Sequence, residues 1–207
     1  DTLVKVAKNT YADCPNDESR DMFIVPAYVE KLIENKWLGD KTGNGFFKKV
    51  KNAEGKSEIH VLNLKTFEYT PSAKAKFATV DAAKQIDDVK SRIQALHHGT
   101  DKAGDFYRNV TALVNKYVSF RIPEIADELY KIDDAVKAGF GWELGPFETW
   151  DVLGVEKTAQ MMEASGFAPA SWVKEMTAAG NKSFYITENG KRKFYDVATK
   201  SYKDIPG

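Results

Sequence analysis

GFGWELGPFETWD, residues 139–151, concentrates three Gly, two Trp, two Phe and a Pro around acidic side chains. Gly139 and Gly141 open backbone conformations that bulkier residues reach poorly, and Gly145-Pro146 makes a stiff turn that presents Phe147 and a short helix. Trp142, Phe147 and Trp150 supply the apolar area to pack that turn against neighbouring helices, while Glu148 and Asp151 suit a helix start. The stretch follows IPEIADELYKIDDAVKAG, residues 122–139. There Pro123 is expected to open a helix, Ile125, Ala126, Leu129, Ile132 and Val136 share a face, and Gly139 closes it. A long helix, a glycine-built corner and a second helix are therefore expected.

The same periodicity extends outward. PAYVEKLIENKWLG, residues 26–39, reads as a helix with Pro26 at its first position and Gly39 at its end. Residues 1–12, 79–98, 103–119, 154–165 and 169–180 read as further helices, and residues 183–197 as a hairpin around Asn189-Gly190. The fold class is mainly α with small β-hairpins. An internal repeat organises these elements: GKSEIHVLNLKTFEYTP, ending at Pro71, sets against GKRKFYDVATKSYKDIP, ending at Pro206, an offset of 135 residues (206 − 71). It pairs Gly55 with Gly190 and Phe67 with Tyr202. Upstream, Pro26, Gly39 and Phe46-Phe47 precede the first copy as Pro169, Gly180 and Phe184-Tyr185 precede the second. Residues 1–75 are thus expected to be the back half of one unit, 76–102 a linker helix, and 103–207 a whole unit.

Composition narrows the function classes. The chain has 207 residues, 43% hydrophobic and 29% charged, with thirty basic residues balancing thirty acidic ones. That is globular material with no global field to draw it to nucleic acid. No apolar run is long enough to span a membrane. The single Cys14 forms no internal disulfide and fits a reducing compartment. The chain opens at Asp1 without Met or a basic-then-apolar leader, which reads as an excised piece of a cytoplasmic protein.

IDDAVKAGFGWELGPFETWDVLGV, residues 132–155, resembles the signature of the C-terminal helical domain of 3-hydroxyacyl-CoA dehydrogenases, and LIENKWLGDKTGNGFFKK, residues 32–49, resembles the segment that closes that domain. The resemblance implies one and a half copies of a helical domain of the 6-phosphogluconate-dehydrogenase C-terminal type, as in multifunctional fatty-acid oxidation enzymes. It implies a parent enzyme that oxidises 3-hydroxyacyl-CoA to 3-ketoacyl-CoA with NAD. Its partners would be an acyl-CoA substrate, its own N-terminal dinucleotide-binding domain, a hydratase domain and a homodimer mate. Gly145, Pro146 and Phe147 are the substrate-side candidates that the resemblance implies, with tight packing as the competing role. FYRN, residues 106–109, places Asn109 where the family has an asparagine that assists a catalytic histidine. No GxGxxG follows a strand and no His-Glu pair is evident, so the resemblance implies no cofactor site and no hydride transfer in this chain itself.

Other polar clusters carry weaker readings. Gly43 and Gly45 beside Lys41, Lys48 and Lys49 suit either a phosphate or a turn into the hairpin. His97-His98 lacks the spaced ligands of a metal site and suits a helix C-terminus, where positive charge is favourable. His60 reads as a strand surface residue. Three classes stay in view: a portion of an acyl-CoA dehydrogenating enzyme, a noncatalytic helical assembly module, and an anion-binding adaptor.

Overall fold

The computed structural model describes residues 2–206 and divides into two compact units, the first ending at Ala75 and the second beginning at Lys76. The first contains α1 (Thr2–Asp13), α2 (Ala27–Glu34) and an antiparallel sheet of β1 (Phe47–Lys51), β2 (Ser57–Leu62) and β3 (Tyr69–Pro71) in sequence order. Pro26 sits one residue ahead of α2 as its N-cap, with an extended backbone. The helix stops before Gly39: Lys36 N donates to Ile33 O, Trp37 N donates to Leu32 O, and Lys36 adopts φ +58°. Trp37 therefore leaves the helix and lies against Phe67 and Tyr69, with ring centroids 6.1 and 5.4 Å away.

The second unit contains α3 (Ala78–Ala83), α4 (Val89–His98), α5 (Lys102–Phe120), α6 (Leu129–Phe140), α7 (Pro146–Leu153), α8 (Val155–Ala164) and α9 (Ser171–Ala178). These lead into a second antiparallel sheet of β4 (Tyr185–Glu188), β5 (Lys191–Asp196) and β6 (Ser201–Asp204). Two expectations are corrected here. Residues 76–102 are not a linker helix but two helices packed inside this unit: Asp88 caps α4 by accepting from Ser91 N, and Gln94 Nε2 donates to Val152 O at 3.0 Å. The helix expected from Pro123 begins at Leu129, because Ile125 N and Ala126 N both donate to Arg121 O and close a turn after α5. Ile125 is accordingly exposed, whereas Leu129 is fully buried.

The core of this unit gathers Leu129, Phe147, Trp150, Val155, Met162, Val173, Met176, Phe184, Phe194 and Tyr195. Phe184 is its centre, meeting the rings of Phe147, Trp150 and Trp172 edge-on at 5.0, 5.1 and 5.7 Å.

The two sheets repeat each other bond for bond. Leu62 N donates to Phe46 O as Tyr195 N donates to Phe184 O. Tyr69 OH donates to Gly45 O as Tyr202 OH donates to Ser183 O, both at 2.6 Å. Asn63 Oδ1 accepts from Thr66 N as Asp196 Oδ2 accepts from Thr199 N. Phe67 and Lys200, at φ +60° and +52°, close the matching turns. These bonds correct the single offset read from sequence: Tyr202 matches Tyr69 rather than Phe67, and Gly180 at φ +88° matches Lys36 rather than Gly39. The first copy carries longer loops, Asn52–Lys56 against the two-residue Asn189-Gly190 turn, so the spacing between matched residues changes along the chain.

Candidate functional site

The 139–151 stretch spans the corner between α6 and α7. Gly141 ends α6 at φ +68° and donates to Lys137 O. Gly139 lies within α6, with nothing within 4 Å of where a Cβ would stand, so it makes no special turn. Gly145 is the N-cap of α7, and a Cβ there would stand 2.4 Å from Asp133 Cβ and 2.5 Å from its Cα. Only glycine allows α6 to approach the start of α7 this closely.

The approach delivers a carboxylate to unsatisfied amides. Asp133 Oδ1 accepts from Phe147 N at 2.9 Å, and Oδ2 accepts from Glu148 N at 3.0 Å and Tyr185 OH at 2.8 Å. Glu148 folds back so that Oε2 accepts from Gly145 N at 2.7 Å, while Oε1 accepts from Arg192 at 2.7 Å and Lys137 at 3.2 Å. Asp151, one turn later, accepts from Phe184 N at 2.7 Å and Tyr185 N at 2.9 Å, tying α7 to β4. Burial pushes Asp133 up to about 6 and Asp151 up to about 7, against the pull of the donated hydrogen bonds. Burial also raises Glu148, but the Gly145 amide, Arg192 and Lys137 outweigh it and hold the carboxyl below its ordinary value. This network welds the corner to the sheet, and all of its carboxylate oxygens are engaged by protein donors.

Open space lies beside the corner. A cleft of about 420 Å³ is lined by Tyr107, Val110, Asn115, Trp142, Leu144 and Pro146, between α4, α5 and the corner. Asn115 is buried and its amide nitrogen has no hydrogen-bond partner. Of the substrate-side candidates, Pro146 faces this cleft, whereas Gly145 and Phe147 are buried in the corner. Trp142 does not pack the turn as expected: it is 47% exposed and lies beside exposed Phe140, 6.3 Å between ring centroids. Asn109 is exposed and lines a different cavity of about 470 Å³ with His97, Arg108, Thr158 and Met161. The structure therefore does not bring Asn109 and Pro146 to one cleft.

Sequence reasoning missed Asp133, Tyr185, Arg192 and Asn115, because their roles depend on long-range partners. At the end of α4, burial pulls His97 down to about 4, so it is neutral at physiological pH. The helix-terminal positive charge is instead Arg108, which donates to His97 O at 2.7 Å and Gly99 O at 2.5 Å.

The glycines of KTGNGFFKK serve their own turn. Gly39 N donates to Asn44 O at 2.7 Å, and a Cβ on Gly45 would stand 2.9 Å from Gly39 Cα. Among the described residues every strand pair is antiparallel, so there is no parallel strand–helix–strand unit to hold a dinucleotide. NAD does not fit the residues present.

Residues 106–196 match the family model described as 3-hydroxyacyl-CoA dehydrogenase, C-terminal domain. That segment is similar to this domain family. It is 40% identical over 196 residues, 95% of its length, to a probable 3-hydroxyacyl-CoA dehydrogenase of Bacillus subtilis (strain 168), of which it covers 24%. It is 28% identical over 151 residues, 72% of its length, to a putative fatty acid oxidation complex trifunctional enzyme of Rickettsia felis, covering 19% of that protein. A putative trifunctional enzyme of Rickettsia prowazekii is 24% identical over 133 residues, 64% of this chain and 17% of its own length. The chain thus spans less than a quarter of the length of these curated relatives. No solved structure matches it. The matched segment opens on α5 at Phe106 and closes on β5 at Asp196, so it includes the whole Asp133–Glu148–Asp151 corner. No helix among the described residues is long and apolar enough to cross a membrane.

Proposed function

We propose that the chain is the C-terminal portion of a cytoplasmic NAD-dependent 3-hydroxyacyl-CoA dehydrogenase of fatty-acid β-oxidation. Residues 1–75 are the back half of a first C-terminal-type repeat, and the second unit is a full one. Hydride transfer and NAD binding belong to a dinucleotide-binding domain outside these residues, and this portion supplies a wall for the acyl-CoA and contacts to neighbouring domains.

The observation that carries this reading is the apolar cleft beside the corner. Val110, Val114, Leu144, Trp142 and Pro146 offer a surface for an acyl or pantetheine chain, and the unpaired Asn115 amide offers a donor to a carbonyl. Asp133, Glu148 and Asp151 act as supports that fix the cleft wall, since their oxygens are already taken.

Titrating the chain with a 3-ketoacyl-CoA while following tryptophan emission tests this. The emission should change saturably, Val114→Trp should abolish the response by filling the cleft, and the chain alone should form no NADH from a 3-hydroxyacyl-CoA. Steady NADH production by the pure chain, or no emission change up to millimolar ligand, overturns it. The latter result favours a noncatalytic assembly module. The exposed stripe of Phe106, Val110, Tyr117 and Phe120 along α5 supports that second reading.

A further inference from the structure

The two sheets share their internal hydrogen bonds but not their cover. In the second unit α7 roofs β4: Asp151 binds Phe184 N and Tyr185 N, and the rings of Phe147 and Trp150 close over Phe184 until it is fully buried. Phe46 and Phe47 hold the corresponding positions in the first sheet, fixed by the Leu62–Phe46 and Tyr69–Gly45 bonds. They are 46% and 60% exposed. Tyr28, second residue of α2 as Trp172 is second residue of α9, meets Phe46 edge-on at 6.4 Å, as Trp172 meets Phe184. The aromatic floor of the corner is therefore present in both units.

Two further features describe what this floor receives. Phe47 pairs with Val61 between hydrogen-bonded positions, so its amide points away from β2, on the side where Asn44 bridges Lys48. Tyr185, paired with Phe194 in the same way, directs its amide to Asp151. In addition β1 reads Phe47-Lys48-Lys49-Val50-Lys51, which favours an acidic partner.

We propose, on the repeat reading of residues 1–75 and independently of acyl-CoA binding, that the Tyr28–Phe46–Phe47 face is the seat of an acidic helical corner of the α6–α7 kind. That partner lays an aromatic side chain against Phe46 and presents a carboxylate to the Phe47 amide.

A second copy of residues 102–153, fused ahead of Thr2 through a flexible Gly/Ser linker, tests the seat at an effective concentration in the millimolar range. Amide hydrogen exchange is read at Phe46 and Phe47. Exchange at Phe47 should slow at least about tenfold, and Asp151→Ala in the added copy alone should restore the fast rate. A fusion whose added helices gain no protection of their own is replaced by a peptide of residues 129–153 at millimolar concentration, with the same readout. Fast exchange at Phe47 with either reagent, equal protection with and without the carboxylate, or protection that arises only through dimerisation of the chain overturns the proposal. The repeat itself is read separately in the unextended chain. There Leu62 N should exchange more slowly than the Phe47 amide, and exchange at Leu62 as fast as at an unbonded amide would remove the repeat rather than the seat.

Discussion

Phe46 and Phe184 stand at equivalent points of two sheets that make the same hydrogen bonds, yet one is half exposed and the other fully buried. Among the described residues of the first unit, the buried apolar side chains are Leu32 and Leu62, whereas the second builds a continuous core from α5 to β5. Local backbone chemistry is therefore enough to specify the helix-and-sheet module, and the core depends on the layer laid over it. That layer is α6 and α7, held to the sheet by Asp133, Glu148 and Asp151.

The widest separation between the units is expected from Phe184→Ala, which removes the centre of the aromatic cluster and should cost roughly 3–5 kcal/mol in denaturant unfolding of the second unit. A loss below about 1 kcal/mol would mean that the cluster is not the core it resembles.

Next in size is a pH effect confined to the second unit. Burial raises Asp151 to about 7 and Asp133 to about 6, so the folded state holds protons that the unfolded state releases near pH 4. The stability they contribute is complete below about pH 4 and is lost as pH rises toward 7. Between about pH 5 and 6 the unfolding free energy should fall by on the order of 2–3 kcal/mol, since the native state holds two protons that the unfolded state has released and each is worth about 1.4 kcal/mol per pH unit. Glu148, held low, acts in the opposite sense and only in acid. Urea titrations of the wild type and Asp151→Asn give the check: the variant's profile should be flatter, and parallel profiles would remove Asp151 from the account.

Gly145→Ala should cost roughly 1–3 kcal/mol by forcing α6 away from α7. Far-ultraviolet circular dichroism through the melt reads it, and an unchanged midpoint would show that the helices yield freely. At the small end, Phe46→Ala should change the chain's stability by less than about 0.5 kcal/mol, because an exposed ring has little burial to lose. A loss approaching that of Phe184→Ala would erase the difference between the units.

Much of this organisation was legible in the sequence. Helical periodicity marked α2, α5, α8 and α9, Asn189-Gly190 marked the second hairpin, and the glycine-proline corner marked the family. The errors have physical causes. Pro123 suits a helix start, but the Arg121 carbonyl captures the following amides and delays α6 to Leu129. The offset read from Pro71 and Pro206 is out of register because the first hairpin has a longer loop, Asn52–Lys56, and Tyr69 rather than Phe67 makes the bond that Tyr202 makes; at the end of α2, Lys36 rather than a glycine takes the left-handed turn. Trp142 and Trp150 look alike in sequence, yet only Trp150 falls on the inner face of α7. The carboxylate network was least visible, because Asp133, Asp151 and Tyr185 meet only after the corner has folded.

The phenol of Tyr202 has a mechanical consequence. It reaches across the second sheet to Ser183 O, so the last strand is fastened to the chain just ahead of the first strand as well as to its neighbour. A pull on the chain at Pro206 would peel β6 from β5 one hydrogen bond at a time, beginning at the bond that Ile205 N donates to Arg192 O. The tear would meet Tyr202 before it reached Ser201. The residue acts as a rivet near the trailing end of the strand, and in a chain loaded from that side it sets how far the fraying runs.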